Sequence, residues 1–256
     1  MAETAPQKAA RDYIAFALDL PGLAAARPYI ERLSGAVGMF KVGLELFVRE
    51  GPEIVRVIQR TGGTPVFLDL KLHDIPETVR RTVAGMADLG VAYTSVHCGE
   101  QPAMLEAAVA GSSGRVGILA VTLLTSVGTR PDGGADVGAL VVHRAAAAAA
   151  AGCRGVVCSG KEAAAVRRAC GPRLTVVTPG IRPPQAGKNA DDQRRVTTPA
   201  QAVAAGADYL VIGRPIRDAP DPLAAVRRIA GQVEDALRNS GPISRQRSSG
   251  TPQLPE

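Results

Sequence analysis

The sequence predicts a single-domain α/β fold, a closed (β/α)8 or TIM barrel, on three observations. Short apolar strand candidates alternate strictly with helical patterns, and the pair recurs eight times. The strands lack polar alternation, as expected of a parallel sheet covered by helices on one face and filled by barrel packing on the other. A length of 256 residues suits one such barrel. A doubly wound open sheet is the competing architecture, but no GxGxxG follows the first strand.

In order, residues 13–18 form the first strand and lead to Asp19, with a helix over 21–33. Strand 39–42 precedes helix 54–60. Strand 65–71 follows Gly62-Gly63 and runs into a helix over 77–89, where Val79, Val83, Met86 and Leu89 recur at helical spacing. Strand 93–97 precedes helix 104–110, and strand 116–124 precedes helix 138–151. The alanine run over 145–151 belongs to that helix, since Ala is the strongest helix former. Strand 155–158 precedes helix 161–169. Strand 174–178 precedes, after a long loop, helix 199–205, and strand 209–212 precedes helix 223–237. The barrel is expected over 12–238. A disordered segment, 1–11, precedes it, and a Ser-, Pro-, Gly-, Gln- and Arg-rich tail, 239–256, follows.

Composition narrows the function. Hydrophobic residues make up 46% and aromatics only 3%, with no Trp, so Ala, Val, Leu and Ile build the core. No apolar run reaches the length of a membrane span and no apolar signal core opens the chain, so a cytoplasmic protein without a membrane partner is expected. The four cysteines (Cys98, Cys153, Cys158 and Cys170) show no CxxC spacing and read as reduced thiols. A net charge of +6 suits an anionic small substrate, while the few aromatics and the lack of a basic run argue against nucleic acid.

Residues 67–78 carry the densest chemistry. Asp69 and Lys71 are two apart and share one side of a strand. Asp74 falls past the strand, ahead of Pro76, where a helix begins. Such charges at the end of an apolar strand are costly to bury unless paired, so this stretch alone reads as a site or as a structural ion pair. Asp19 and Lys41 stand at two further strand ends, and barrel chemistry sits at the C-terminal mouth. The other strand ends are His97, Thr125 with Ser126, Cys158, Thr178 with Arg182, and Gly213-Arg214. Gly180-Ile181-Arg182 and Gly213-Arg214-Pro215-Ile216 follow strands seven and eight, where phosphate sites form in these barrels. There, Gly admits phosphate to backbone N–H groups and Arg adds charge-assisted contacts. The residues therefore predict an enzyme for a small phosphorylated substrate that uses Asp and Lys without a metal. The three histidines lack metal-ligand spacing, and His97 reads as packed and His143 as structural. Cys158 reads as a small buried side chain.

The segment Phe67-Leu68-Asp69-Leu70-Lys71-Leu72-His73-Asp74-Ile75-Pro76 resembles the DxKxxDIP signature of the orotidine 5′-phosphate decarboxylase family. Supporting matches are Ala17-Leu18-Asp19, Phe40-Lys41-Val42-Gly43, Leu123-Leu124-Thr125-Ser126, Thr178-Pro179-Gly180-Ile181-Arg182, Asp192-Gln193-Arg194-Arg195 and Val211-Ile212-Gly213-Arg214-Pro215-Ile216. The resemblance covers roughly residues 12–237 in the right order.

The resemblance implies a cofactor-independent carboxy-lyase that converts orotidine 5′-monophosphate to uridine 5′-monophosphate, the last step of de novo UMP synthesis. It implies that Lys71, Asp69, Asp74 and Lys41 form the catalytic array, with Lys71 protonating a C6 carbanion. Asp19, Lys41 and Thr78 would hold the ribose hydroxyls. Thr125 would contact the pyrimidine, as would Ser126, and Pro179 would line its pocket. Gln193, Gly213 and Arg214 would bind the phosphate, with Arg182 beside them on a closing loop. Asp74, Ile75 and Thr78 would reach into a partner subunit's site, which implies a homodimer with shared active sites. Two other readings stay open: a metal-dependent lyase or decarboxylase acting on a sugar phosphate, which shares the Asp-x-Lys-x-x-Asp core, and a protein that binds the nucleotide without turning it over.

Overall fold

The computed structural model describes residues 8–99, 102–124, 136–183 and 196–239. Eight parallel strands close into one barrel in sequence order: β1 (Ile14–Ala17), β2 (Met39–Gly43), β3 (Val66–Leu72), β4 (Tyr93–His97), β5 (Gly117–Val121), β6 (Gly155–Val157), β7 (Thr175–Thr178) and β8 (Tyr209–Ile212). The closing pair joins β1 to β8 through Ile14↔Leu210 and Phe16↔Ile212. The predicted barrel is therefore the observed one.

The helices are α1 (Leu23–Leu33), α2 (Leu44–Glu50), α3 (Glu53–Gly62), α4 (Pro76–Asp88), α5 (Ala103–Ser112), α6 (Val137–Ala150), α7 (Gly160–Cys170), α8 (Pro199–Ala204), α9 (Arg214–Arg217) and α10 (Pro222–Asn239). Two of these were not expected. α2 follows β2 directly and buries only Leu46, so it lacks the apolar stripe that periodicity detects. α9 is a single turn with Pro215 in its opening positions, where a fixed φ favours a helix start. The strand expected over 116–124 ends at Val121, and Thr122, Leu123 and Leu124 run on irregularly over the mouth.

Local chemistry explains the other boundaries. Ser159 caps α7 by accepting from the Lys161 N–H, and Asp136 caps α6 by accepting from the Gly138 N–H. Thr198 and Gln201 form a capping box at α8, ahead of Pro199. The alanine-rich α6 buries Val141, Ala145 and Ala148, one stripe at helical spacing.

Two apolar layers result. The larger lies between strands and helices and includes Phe16, Phe40, Leu68 and Ile212. The smaller fills the barrel with Ala15, Met39, Phe67, Tyr93, Leu119 and Val177. Alternate strand residues thus face two different apolar environments, which is why no hydropathy alternation marks them.

Residues 8–11, which the sequence assigned to the N-terminal segment, lie against the bottom of the barrel. The Lys8 ammonium sits 3.5 Å from the Tyr209 ring centroid and donates to the Asp208 carbonyl at 2.7 Å. Residues 1–7 and 240–256 lie outside the described residues, as do Thr125, Ser126 and the whole Asp192-Gln193-Arg194-Arg195 segment. Among the described residues, no helix is long and apolar enough to cross a membrane.

Candidate active site

The pleat carries the charged residues to the mouth. On β2, Met39 faces the interior and Lys41 follows two residues later; on β3, Phe67 does the same for Asp69. Register sets them side by side, with Ala17 opposite Lys41 and Gly43 opposite Asp69. A cavity of about 510 Å³ opens there, within the range of small-molecule sites. Its lining includes Asp19, Lys41, Asp69, Lys71, Pro179, Arg182, Gly213, Arg214 and Arg217.

Four charges of alternating sign run along one wall. Asp19 Oδ1 accepts from Lys41 Nζ at 3.0 Å, Lys41 Nζ stands 3.7 Å from Asp69 Oδ2, and Lys71 Nζ donates to the same Oδ2 at 2.7 Å. Lys41 and Asp69 are buried, at 7% and 9% exposure, while the Lys71 side chain reaches the cavity. Burial pushes the Asp69 carboxyl up. The ammonium groups of Lys41 and Lys71, with hydrogen bonds from Lys71 and Ser95, more than reverse this and hold it below its ordinary value. Gly43 leaves room for the array: a Cβ there would stand 3.1 Å from Lys41 Nζ.

Asp69 and Lys71 do meet, but not by a regular pleat. Lys71 has φ +51°, in the left-handed region, one of two such non-glycine residues among those described. That conformation costs on the order of 1–2 kcal/mol for an L-residue. It persists where surrounding contacts over-determine it, as at many functional sites. The β3–β4 ladder is irregular at the same place.

The wall at the ends of β7 and β8 is cationic and meets the first at Asp19, where β8 closes on β1. Arg182 follows Gly180, whose φ of +77° suits Gly, and its guanidinium donates to the Ile181 carbonyl at 3.0 Å. Arg214 opens α9 after Gly213. Arg217, which the sequence did not single out, also lines the cavity and donates to the Asp19 carbonyl at 3.0 Å. Its signal was its spacing: one helical turn after Arg214 places it on the same face.

Three expected residues stand apart. Asp74, Ile75 and Thr78 are exposed and do not line this chain's cavity. Asp74 accepts from the Ile75 N–H at 2.7 Å, and Ile75 is 67% exposed at the start of α4. The array of Asp19, Lys41, Asp69 and Lys71 therefore forms within one chain without Asp74. A second cavity adjoins the first and is lined by Leu44, Glu45, Leu70 and Lys71 among others.

The remaining strand-end residues are structural in setting. Cys158 is buried in the outer core, and His97 is half-buried with its ring 5.6 Å from that of His73. Ser95 was missed: buried on β4, it bonds both Asp69 and Lys71. No motif or spacing marks it. Among the described residues, no group of three or more His, Cys, Asp or Glu is placed to hold a metal.

The sequence model of the "Orotidine 5'-phosphate decarboxylase / HUMPS family" matches residues 12–229. A protein of Desulfosudis oleivorans named orotidine 5'-phosphate decarboxylase is 47% identical over 245 residues, which cover 92% of this chain and 98% of that one. One of the same name from Anaeromyxobacter sp. (strain K) is 50% identical over 221 residues, covering 85% and 96%. The crystal structure of orotidine 5'-phosphate decarboxylase from Lactobacillus acidophilus superposes with a TM-score of 0.75 at 32% identity, covering 86% of this chain and 98% of that chain. With all eight strands inside the match and these relatives covered almost end to end, the chain belongs to the orotidine 5'-phosphate decarboxylase / HUMPS family.

Proposed function

We propose that the chain is a carboxy-lyase that decarboxylates orotidine 5′-monophosphate to uridine 5′-monophosphate, and that the mouth array performs the chemistry. One observation carries the reading: the Lys71 ammonium, locked 2.7 Å from Asp69, faces a cavity whose far wall carries Arg182 and Arg214. An anchored phosphate on that wall directs the pyrimidine toward Lys71.

In the reaction, the bond from C6 to the carboxylate breaks and carbon dioxide leaves. The electron pair stays on C6, and Lys71 donates a proton there, to be replaced from solvent. The Lys71 charge is in place before the carbanion forms, so little reorganisation is needed as charge develops. Asp69 sits against the departing carboxylate. Two unit charges about 4 Å apart at an effective dielectric near 20 repel by about 4 kcal/mol, a small part of a large barrier. The rest comes from preorganised charge and from phosphate and ribose contacts that hold the reacting atoms in place. Asp19 and Lys41 bind the ribose hydroxyls, Pro179 lines the pyrimidine pocket, and Gly213, Arg214 and Arg182 take the phosphate. Thr125, for the pyrimidine, and Gln193, for the phosphate, lie outside the described residues and complete the set.

The functional unit is a homodimer with shared sites. Support comes from Asp74, Ile75 and Thr78, which are exposed outside their own cavity, and from Leu44 and Val48 on α2, at 58% and 74% exposure. Leu44 lines the adjoining cavity with Lys71, where a partner's segment would enter. Asp74 then acts in the partner's array and Thr78 on its ribose.

The test is carbon dioxide release from orotidine 5′-monophosphate by wild type and by Lys71→Ala. The variant should lose turnover by orders of magnitude yet bind uridine 5′-monophosphate nearly as well, since phosphate contacts lie on the other wall. Equal rates in the two proteins would remove Lys71 from the mechanism. Tight nucleotide binding by a wild type that releases no carbon dioxide would leave only a binding protein.

A further inference from the structure

β3 and β4 pair at Phe67↔Tyr93 and Leu68↔Thr94, and again at Leu72↔Val96. Between those pairs β3 holds Asp69, Leu70 and Lys71, while β4 holds only Ser95. The surplus on β3 must bulge out of the ladder, and backbone groups there need other partners. Ser95 supplies one. It is fully buried, at 0% exposure, and its Oγ accepts from the Lys71 backbone N–H at 2.9 Å. The same hydroxyl donates to Asp69 Oδ1 at 2.7 Å, while Lys71 Nζ donates to Asp69 Oδ2. One donor proton and two lone pairs allow the hydroxyl both bonds at once. The result is a closed ring: Asp69 carboxylate, Ser95 hydroxyl, Lys71 backbone, Lys71 ammonium, and back to Asp69.

We propose that Ser95 is a positioning residue for the decarboxylation, its hydroxyl fixing both the Asp69 carboxylate and the left-handed Lys71 backbone so that the ammonium meets C6. The proposal rests on the decarboxylase reading of this site. Without the hydroxyl, Asp69 Oδ1 loses a donor in a buried place, and the bulge loses the contact holding Lys71 at φ +51°. The lysine then samples other directions, and misplaced reacting groups cost rate rather than binding.

The experiment compares wild type with Ser95→Ala, Ser95→Cys and Ser95→Thr. Cys keeps the size but is a poor donor, and Thr keeps the hydroxyl. In Ala and Cys, kcat for orotidine 5′-monophosphate should fall about 10- to 100-fold, the range expected for losing a hydrogen bond to a charged group. Affinity for uridine 5′-monophosphate should hold within about threefold, because its anchors lie across the cavity. The acid limb of the kcat/KM profile should move to higher pH in both, as Asp69 loses a stabilising donor. Thr should recover most of the lost turnover. A wild-type kcat in Cys would reduce Ser95 to a packing residue and overturn the proposal, as would a parallel fall of kcat, nucleotide affinity and melting temperature in Ala and Cys. If wild type releases no carbon dioxide, the decarboxylase reading fails instead. Carboxyl-carbon NMR titration of Asp69 still reads the Ser95 contact in that case: a higher pKa in Cys supports it, and no change removes it.

Discussion

At the scale of single residues, Asp69 decides most of the site's electrostatics. It is buried among two ammonium groups and a hydroxyl, and the attraction outweighs the desolvation. Its carboxyl is held below the ordinary 3.8, so its contribution to stability is complete above that pH. The contribution is lost as pH falls through the lower, folded-state value. The stability difference between wild type and Asp69→Asn, from urea unfolding, should therefore stay constant from neutral pH to about 4 and shrink below it. A difference that grew on acidification would contradict the ion-pair account. Lys71 complements this, since its strained backbone directs an ammonium to the same carboxylate.

At the scale of elements, the packing of α4 on α5 positions the segment that carries Asp74, Ile75 and Thr78. Gly111, buried near the end of α5, lets the helices approach closely. A Cβ there would lie 2.2 Å from the Arg80 carbonyl oxygen on α4, so backbone would have to move. Helix propensity alone predicts that Gly111→Ala stabilises by up to about 1 kcal/mol. The contact predicts the reverse, a loss of about 1–3 kcal/mol from overpacking, and it should win because a carbonyl cannot step aside as a side-chain tip can. Chemical denaturation of the variant settles the sign.

At the scale of the whole molecule, one barrel carries the charges from Asp19 to Lys71, and Asp74, Ile75 and Thr78 past β3 stand exposed outside its cavity. If sites are shared, Lys71→Ala and Asp74→Ala subunits, each inactive alone, should regain activity on mixing. One site of the mixed dimer would carry both substitutions and the other neither. Full subunit exchange, verified by tag, without recovered activity would show that each chain keeps its own Asp74.

The sequence by itself determined the closed barrel, since strict alternation of β and α units admits few other architectures. It also determined which charges gather at the mouth, because Asp19, Lys41 and Asp69 each follow the apolar run of a strand, and the C-terminal parts of the strands meet there. The short helices α2 and α9 escaped it, being too short or too exposed for periodicity to register. Strand parity escaped it too, because both faces of each strand are apolar and only closure assigns Phe67 to the interior and Leu68 to the helix layer. The section from Asp69 to Lys71 shows the division most sharply. Spacing brought the two charges together on paper by a regular pleat, whereas the folded chain joins them across a bulge and a left-handed lysine. Ser95 holds that geometry from a neighbouring strand, and such a contact between residues 24 and 26 positions apart has no local signature; only tertiary structure could decide it.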